Sequence, residues 1–193
     1  MTLPAAAATR QLKHRRQFDV QVFARDDGLW EVDAILVDTK TRDARLAGEV
    51  RPAGTPIHDM LLRLVVDTQL NILAAGAETR WMPYPGDCDD HDNVYQHLVG
   101  LNLGKGFREG LRRRVGGVLG CTHITELAQV LPTAVIQAFA GEVIDTRGDG
   151  DTRPFQIDRC HALRHDGNVV RMHYPRWYRA PNPATPDAPR SPE

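Results

Sequence analysis

Apolar residues alternate with polar ones through Phe18, Val20 and Val22, and again through Trp30, Val32, Ala34 and Leu36, with Arg25-Asp-Asp-Gly28 between the two runs. A period of two lines up alternate side chains on one face of a strand, and Asp-Gly between two such runs is a hairpin signal. Residues 57–66 and 70–77 make a second pair of runs, joined by Asp67-Thr68-Gln69. After Pro83 and Pro85 the spacing becomes helical. Val94, Leu98 and Leu101 share one face of a short helix starting near Asp90 or Asp92, whose carboxylates suit a helix N-terminus. Residues 106–115 form a second short helix or turn. The longest helical pattern is Ile124, Leu127, Ala128, Leu131, Val135, Ala138 and Phe139. It follows Thr122 as N-cap, has Glu126 in its first turn, and contains Pro132, which is placed to kink or split it. A chain that switches period once in this way folds as α+β: an antiparallel sheet of about four or more strands, built from two hairpins, packed against helices. Beyond Phe155 the pattern weakens to a turn at Arg164-His165-Asp166-Gly167 and a strand through Val169, Val170 and Met172.

At 193 residues the chain has the length of one domain. Residues 1–15 carry Arg10, Lys13 and Arg15 without an acid and are expected to be a flexible basic arm, joining the fold near Gln17. Residues 179–193 are rich in proline and hold nothing bulky, so a disordered tail is expected there, with a single globular domain over residues 16–178.

Lysine and arginine number 24 against 25 aspartates and glutamates, a formal net charge of −1, so no global field draws the protein to nucleic acid or to an anionic membrane. Electrostatic partners must be met locally, and a small anionic molecule is the expected kind. No apolar run is long enough to span a bilayer, and the apolar start at Leu3 precedes its basic residues instead of following them, unlike a secretory signal. The cytoplasm is therefore the expected compartment. The three cysteines, Cys88, Cys121 and Cys160, are an odd number, which favours free thiols or metal ligands over a disulfide framework.

Each cysteine lies within three residues of a histidine: Cys88-Asp-Asp-His91, Cys121-Thr-His123 and Cys160-His161. The middle pair ends the run Gly116-Gly117-Val118-Leu119-Gly120 and opens the best helical pattern. Glycines there allow positive φ and close backbone approach, and a thiol at a helix N-terminus faces free N–H groups that stabilise a thiolate. Cys121 is thus a candidate nucleophile or ligand, with His123 or His58 as base or second ligand. Immediately upstream, Arg108 and Arg112 lie in a basic strip, Lys105 to Arg114, that could anchor an anion such as a carboxylate, a phosphate or a coenzyme A ester. The strip lacks the ending of a P-loop. Cys88, within Asp87-Cys88-Asp89-Asp90-His91-Asp92, adds a further thiol among carboxylates, so Cys88, Cys121, His123 and His58 are the candidate ligands for zinc or iron. Near the C-terminus, Arg176 flanked by Tyr174, Trp177 and Tyr178 suits stacking on a planar ligand or an aromatic plug.

Taken together, Arg25-Asp-Asp-Gly28-Leu-Trp-Glu-Val-Asp-Ala34 with Asp38-Thr-Lys40, Pro56-Ile-His58-Asp-Met60, Gly120-Cys121-Thr122-His123 with Glu126-Leu127, Cys160-His-Ala-Leu-Arg164 and Tyr174-Pro175-Arg176-Trp177 resemble the bacterial family catalogued as domain of unknown function 2889. The resemblance implies a single domain and brings no activity or cofactor with it. A fainter resemblance is to iron–sulfur scaffold proteins, in which a Gly-Cys element also leads from a sheet into a helix; this chain has His58-Asp59 where those scaffolds carry Cys-Gly-Asp. Three functions follow as expectations. The first is an enzyme or enzyme accessory acting on a small anionic metabolite, an acyl or aromatic acid or its coenzyme A ester, through Cys121 and His123. The second is a zinc or iron module, and the third a non-catalytic interaction protein.

Overall fold

A computed structural model describes residues 3–46, 48–90 and 92–180. The proline-rich tail lies outside the described residues from 181 onward, and so does His91. Two compact units make up the chain, Met1–Ala138 and Phe139–Glu193.

In the first unit the alternating segments form a four-stranded sheet of β1 (His14–Ala24), β2 (Trp30–Lys40), β5 (Pro56–Val66) and β6 (Ile72–Trp81), in that spatial order and antiparallel throughout. A small hairpin, β3 (Ala44–Leu46) and β4 (Glu49–Arg51), interrupts the connection from β2 to β5. The first hairpin turns where Asp-Gly predicts, with Gly28 at φ 80, a conformation glycine adopts without steric cost. Strand β1 begins at His14, ahead of the joint expected at Gln17. Backbone pairing of His14 with Lys40 carries the strand past its last apolar residue, so alternation alone could not see its start. The second hairpin differs in register. Leu70 takes a left-handed φ of 69 inside the turn, so β6 opens at Ile72, and it runs on past Ala77 to Trp81 across an irregularity at Asp59/Met60.

One face of the sheet is apolar and closed to water: Val32, Ala34, Leu36, Met60, Leu62, Leu64 and Val66 are all buried. Tyr95 and Leu98, from a 3-10 helix over Asp92–Leu98, are buried as well. So are Phe107, Leu111 and Val115 of helix α1 (Phe107–Val115), and Ile124, Leu127, Ala128, Leu131 and Val135 of α2 (Thr122–Phe139). Helix α2 is not split at Pro132. Proline removes one backbone donor, but the flanking Ala128, Leu131 and Val135 are fully buried, and their packing holds the two halves in one helix. Nor is Thr122 the cap: the Thr125 N–H donates to the Cys121 carbonyl at 2.9 Å, which makes Cys121 the capping position and Thr122 the first helical residue.

The second unit is built from turns and short helices. The strand expected through Val169 and Met172 is instead helix α3 (Asn168–His173), of which only Val170 is buried. Two adjacent valines favour a strand only where a neighbour can pair with them, and no such strand flanks this segment among the described residues. Arg176 is engaged within its own unit. It lies 5.3 Å from the Trp177 ring centroid and 2.8 Å from Asp151, both members of the ion pair being exposed. No helix among the described residues is long and apolar enough to cross a membrane.

A thiol, two imidazoles and a clamped carboxylate

The inward face of the sheet changes from apolar to polar at one end. Asp38 lies two residues beyond Leu36, His58 two before Met60 and Arg16 two before Phe18, so strand parity turns all three to the same side. Register then aligns them, with Arg16 opposite Asp38 and Asp38 opposite His58 across three neighbouring strands. The Asp38 side chain is only 3% exposed. Its two oxygens accept from Arg16 Nε at 2.8 Å and Nη2 at 2.6 Å, a bidentate clamp of the kind guanidinium geometry favours. His14 Nε2 lies 3.0 Å from Oδ1, and His58 Nδ1 lies 3.0 Å from Oδ2. Arg16 also donates from Nη1 to Glu126 of α2 at 2.5 Å.

Helix α2 delivers the rest. Its approach is fixed by the glycine run, where Gly117 needs a positive φ of 60 and Gly120 leaves no room for a side chain, since a Cβ there would stand 2.7 Å from the Val115 carbonyl. Tyr95, fully buried, donates from its hydroxyl to the Cys121 carbonyl at 2.8 Å and pins the cap. His123 then stacks on His58 with ring centroids 3.8 Å apart. Its two nitrogens face different partners: Nδ1 is 3.8 Å from Cys121 Sγ, and Nε2 is 3.9 Å from Asp38 Oδ2. The sulfur also lies 3.9 Å from Met60 Sδ.

Burial alone would raise the Asp38 carboxyl; hydrogen bonds and charge from Arg16, with a smaller part from His58, outweigh it and hold the group below the usual carboxylate range. His58 is pushed down, first by burial, which exceeds the opposing pull of Asp38. His123 is pushed down by burial too, then by repulsion from His58 whenever that ring is protonated, and from Arg16. At neutral pH the cluster therefore holds an ionised carboxylate and two neutral imidazoles. His58 donates its Nδ1 proton to Asp38, which leaves Nε2 as an acceptor.

These shifts set a pH dependence. Below the ordinary imidazole value of 6.5 the unfolded chain takes up protons at these two positions before the folded chain does. Their contribution to stability is thus complete above that pH and shrinks as pH falls through it, and the Asp38 contribution is lost only below 3.8. Urea midpoints should hold from pH 7.5 to about 6.5 and fall from there to about 5, a loss reduced in a His58→Gln, His123→Gln double variant. A flat profile over this interval would contradict the assignment of two neutral rings.

Of the residues singled out in the sequence, Cys121, His123 and His58 converge. Cys88 sits in the turn after β6, its N–H donating to the Tyr84 carbonyl at 2.9 Å, and Cys160 opens a short turn in the second unit. All three thiols are free, and among the described residues neither Cys88 nor Cys160 belongs to a group of three or more close metal-ligating side chains. Arg112 is spent on Glu109 at 2.9 Å on the exposed face of α1, and Arg108 is exposed on the same helix. The arginine at the cluster is Arg16, which sequence reasoning passed over together with Asp38. Parity was the available signal, since both continue the inward-facing stripe.

Fold and cluster define an α+β protein whose sheet end presents a carboxylate and two imidazoles to a thiol at a helix cap. The chain belongs to the family described as Protein of unknown function (DUF2889), whose model matches residues 14–137 and so spans every side chain of the cluster. Residues 160–177, which share in the resemblance, lie beyond the matched segment. No curated protein and no solved structure matches the chain.

Proposed function

We propose that the protein is a thiol-dependent enzyme of the bacterial cytoplasm that transfers the acyl group of a small acyl or aromatic acid ester, a coenzyme A ester included. The observation that carries this reading is the position of the His123 ring between Cys121 Sγ at 3.8 Å and Asp38 Oδ2 at 3.9 Å. Cys121 is the nucleophile. Neutral His123 takes the thiol proton on Nδ1 while its Nε2–H points to Asp38, and the imidazolium that forms is stabilised by that carboxylate, the division of labour of a nucleophile, base and orienting acid. Sulfur bonds to the acyl carbon, the alkoxide or thiolate of the ester leaves with the proton from His123, and water later releases the acid. Because Cys121 caps α2, the first-turn N–H groups, which a helix N-terminus leaves without intrahelical partners, are the donors assigned to the oxyanion. Three free cysteines suit a reducing compartment such as the cytoplasm.

The test is acylation in intact protein, with p-nitrophenyl acetate and a panel of short acyl and aromatic coenzyme A esters, read by peptide mass spectrometry. We expect acyl adducts at Cys121 in preference to Cys88 and Cys160, and their loss by at least about 100-fold in His123→Gln, the lower range for removing a general base. Equal labelling of the three cysteines, or none, would discard the proposal.

A further inference from the structure

We propose that Asp38, His58 and His123 form a binding site for a divalent transition-metal ion, zinc or ferrous iron. The inference goes beyond the thiol reading and does not need it, although both involve His123. One ligand atom from each of the three residues can be chosen so that all lie within 4.8 Å of one another, and they come from three separate elements, β2, β5 and α2. A tetrahedral ion with nitrogen and oxygen ligands at about 2.0–2.1 Å sets those atoms roughly 3.3 Å apart. Here His58 Nδ1 stands 3.0 Å and His123 Nε2 3.9 Å from the same oxygen, Asp38 Oδ2, on either side of that spacing. Closing the set requires the three atoms, all within 4.8 Å of one another, to draw in to that spacing.

The donor types decide the class of ion. Two imidazoles and one carboxylate are the mixed nitrogen and oxygen set that suits zinc and iron, whereas calcium and magnesium take oxygen throughout. Three protein ligands leave a position for water, the arrangement of an open site. Outer partners are in place: Arg16 clamps both oxygens of Asp38, and His14 holds Oδ1, so the carboxylate is oriented before an ion arrives. Entry of the ion replaces the hydrogen bond from His58 Nδ1 to Oδ2. The His58 proton moves to its Nε2 and the His123 proton from Nε2 to Nδ1, so both rings stay neutral. Cys121 is outside the set, because it faces the opposite nitrogen of His123.

Calorimetric titration of the full chain, purified without a tag and stripped with chelator, with zinc chloride should show one equivalent bound. His58→Gln, checked for folding by circular dichroism, should weaken binding by more than about 100-fold, beyond the 10–100-fold typical of losing an outer partner. Cys121→Ser should bind as the wild type does. The cobalt-loaded protein gives a readout free of substitutions: the visible d–d bands of a four-coordinate ion and no thiolate-to-cobalt charge transfer in the near ultraviolet are expected. Absence of stoichiometric binding, unaltered binding in His58→Gln, or a sulfur charge-transfer band would each overturn the site. Acylation at Cys121 is scored separately, so the thiol reading and the metal site can fail independently.

Discussion

Asp38→Ala is expected to cost the folded chain about 3 kcal/mol, at the low end of the 3–5 kcal/mol for breaking a buried charge pair. The variant removes a carboxylate whose side chain is 3% exposed and leaves three groups that were bonded to it, the Arg16 guanidinium, His58 Nδ1–H and His14. The penalty stays near the low end because Arg16 is 30% exposed and keeps Glu126 as a partner. For a chain of this size such a loss lowers the melting temperature by about 6–12 °C. Asp38→Asn keeps the shape and one acceptor oxygen, so it should lose less. A shift under about 2 °C for the alanine variant would mean that the clamp contributes no more than a surface pair. The substitution should also abolish acylation at Cys121 in protein that is still folded, because His123 loses the group its Nε2 faces.

How much of this could be read from the chain depends on the kind of signal. The sheet was legible because its inner face is apolar at every second residue, and α2 because its buried residues recur at helical spacing, whereas residues 106–115 read only as a short helix or turn. Strand ends were less so: β1 and β6 extend through backbone pairing that leaves no mark in side-chain type, and Leu70 occupies a left-handed turn position that composition does not announce. Cys121, His123 and His58 stood out because thiols and imidazoles are scarce and chemically distinct. Asp38 and Arg16 did not, since an aspartate and an arginine near strand ends look like solvent-facing residues. Only their register, opposite each other and opposite His58, makes them a site. In the basic strip, Glu109 and Arg112, three apart on a helix, pair with each other on an exposed face, a contact that charge counting along the chain does not show. Ligands drawn from β2, β5 and α2 have no short spacing to detect, so a search for Cys-x-x-Cys patterns could not find them.

Leu127→Ala separates the stability of the fold from the chemistry of the cluster. Leu127 is fully buried on α2, one turn beyond His123 and on the same side of the helix. Truncation removes apolar contacts and leaves a cavity, with an expected cost of about 2–5 kcal/mol, among the largest for any single change in this chain. The position of Cys121 and His123, however, is set by contacts that the substitution does not touch: the Tyr95 hydroxyl on the Cys121 carbonyl, the stack of His123 on His58, and Arg16 bridging Asp38 to Glu126. Well below its lowered melting temperature the variant should therefore acylate Cys121 at close to the wild-type rate, while Asp38→Ala, with a comparable loss of stability, should not. If Leu127→Ala loses both together in folded protein, the cap of α2 is held by helix packing and not by the cluster, and the clamp of Arg16 on Asp38 has no special part in presenting the thiol.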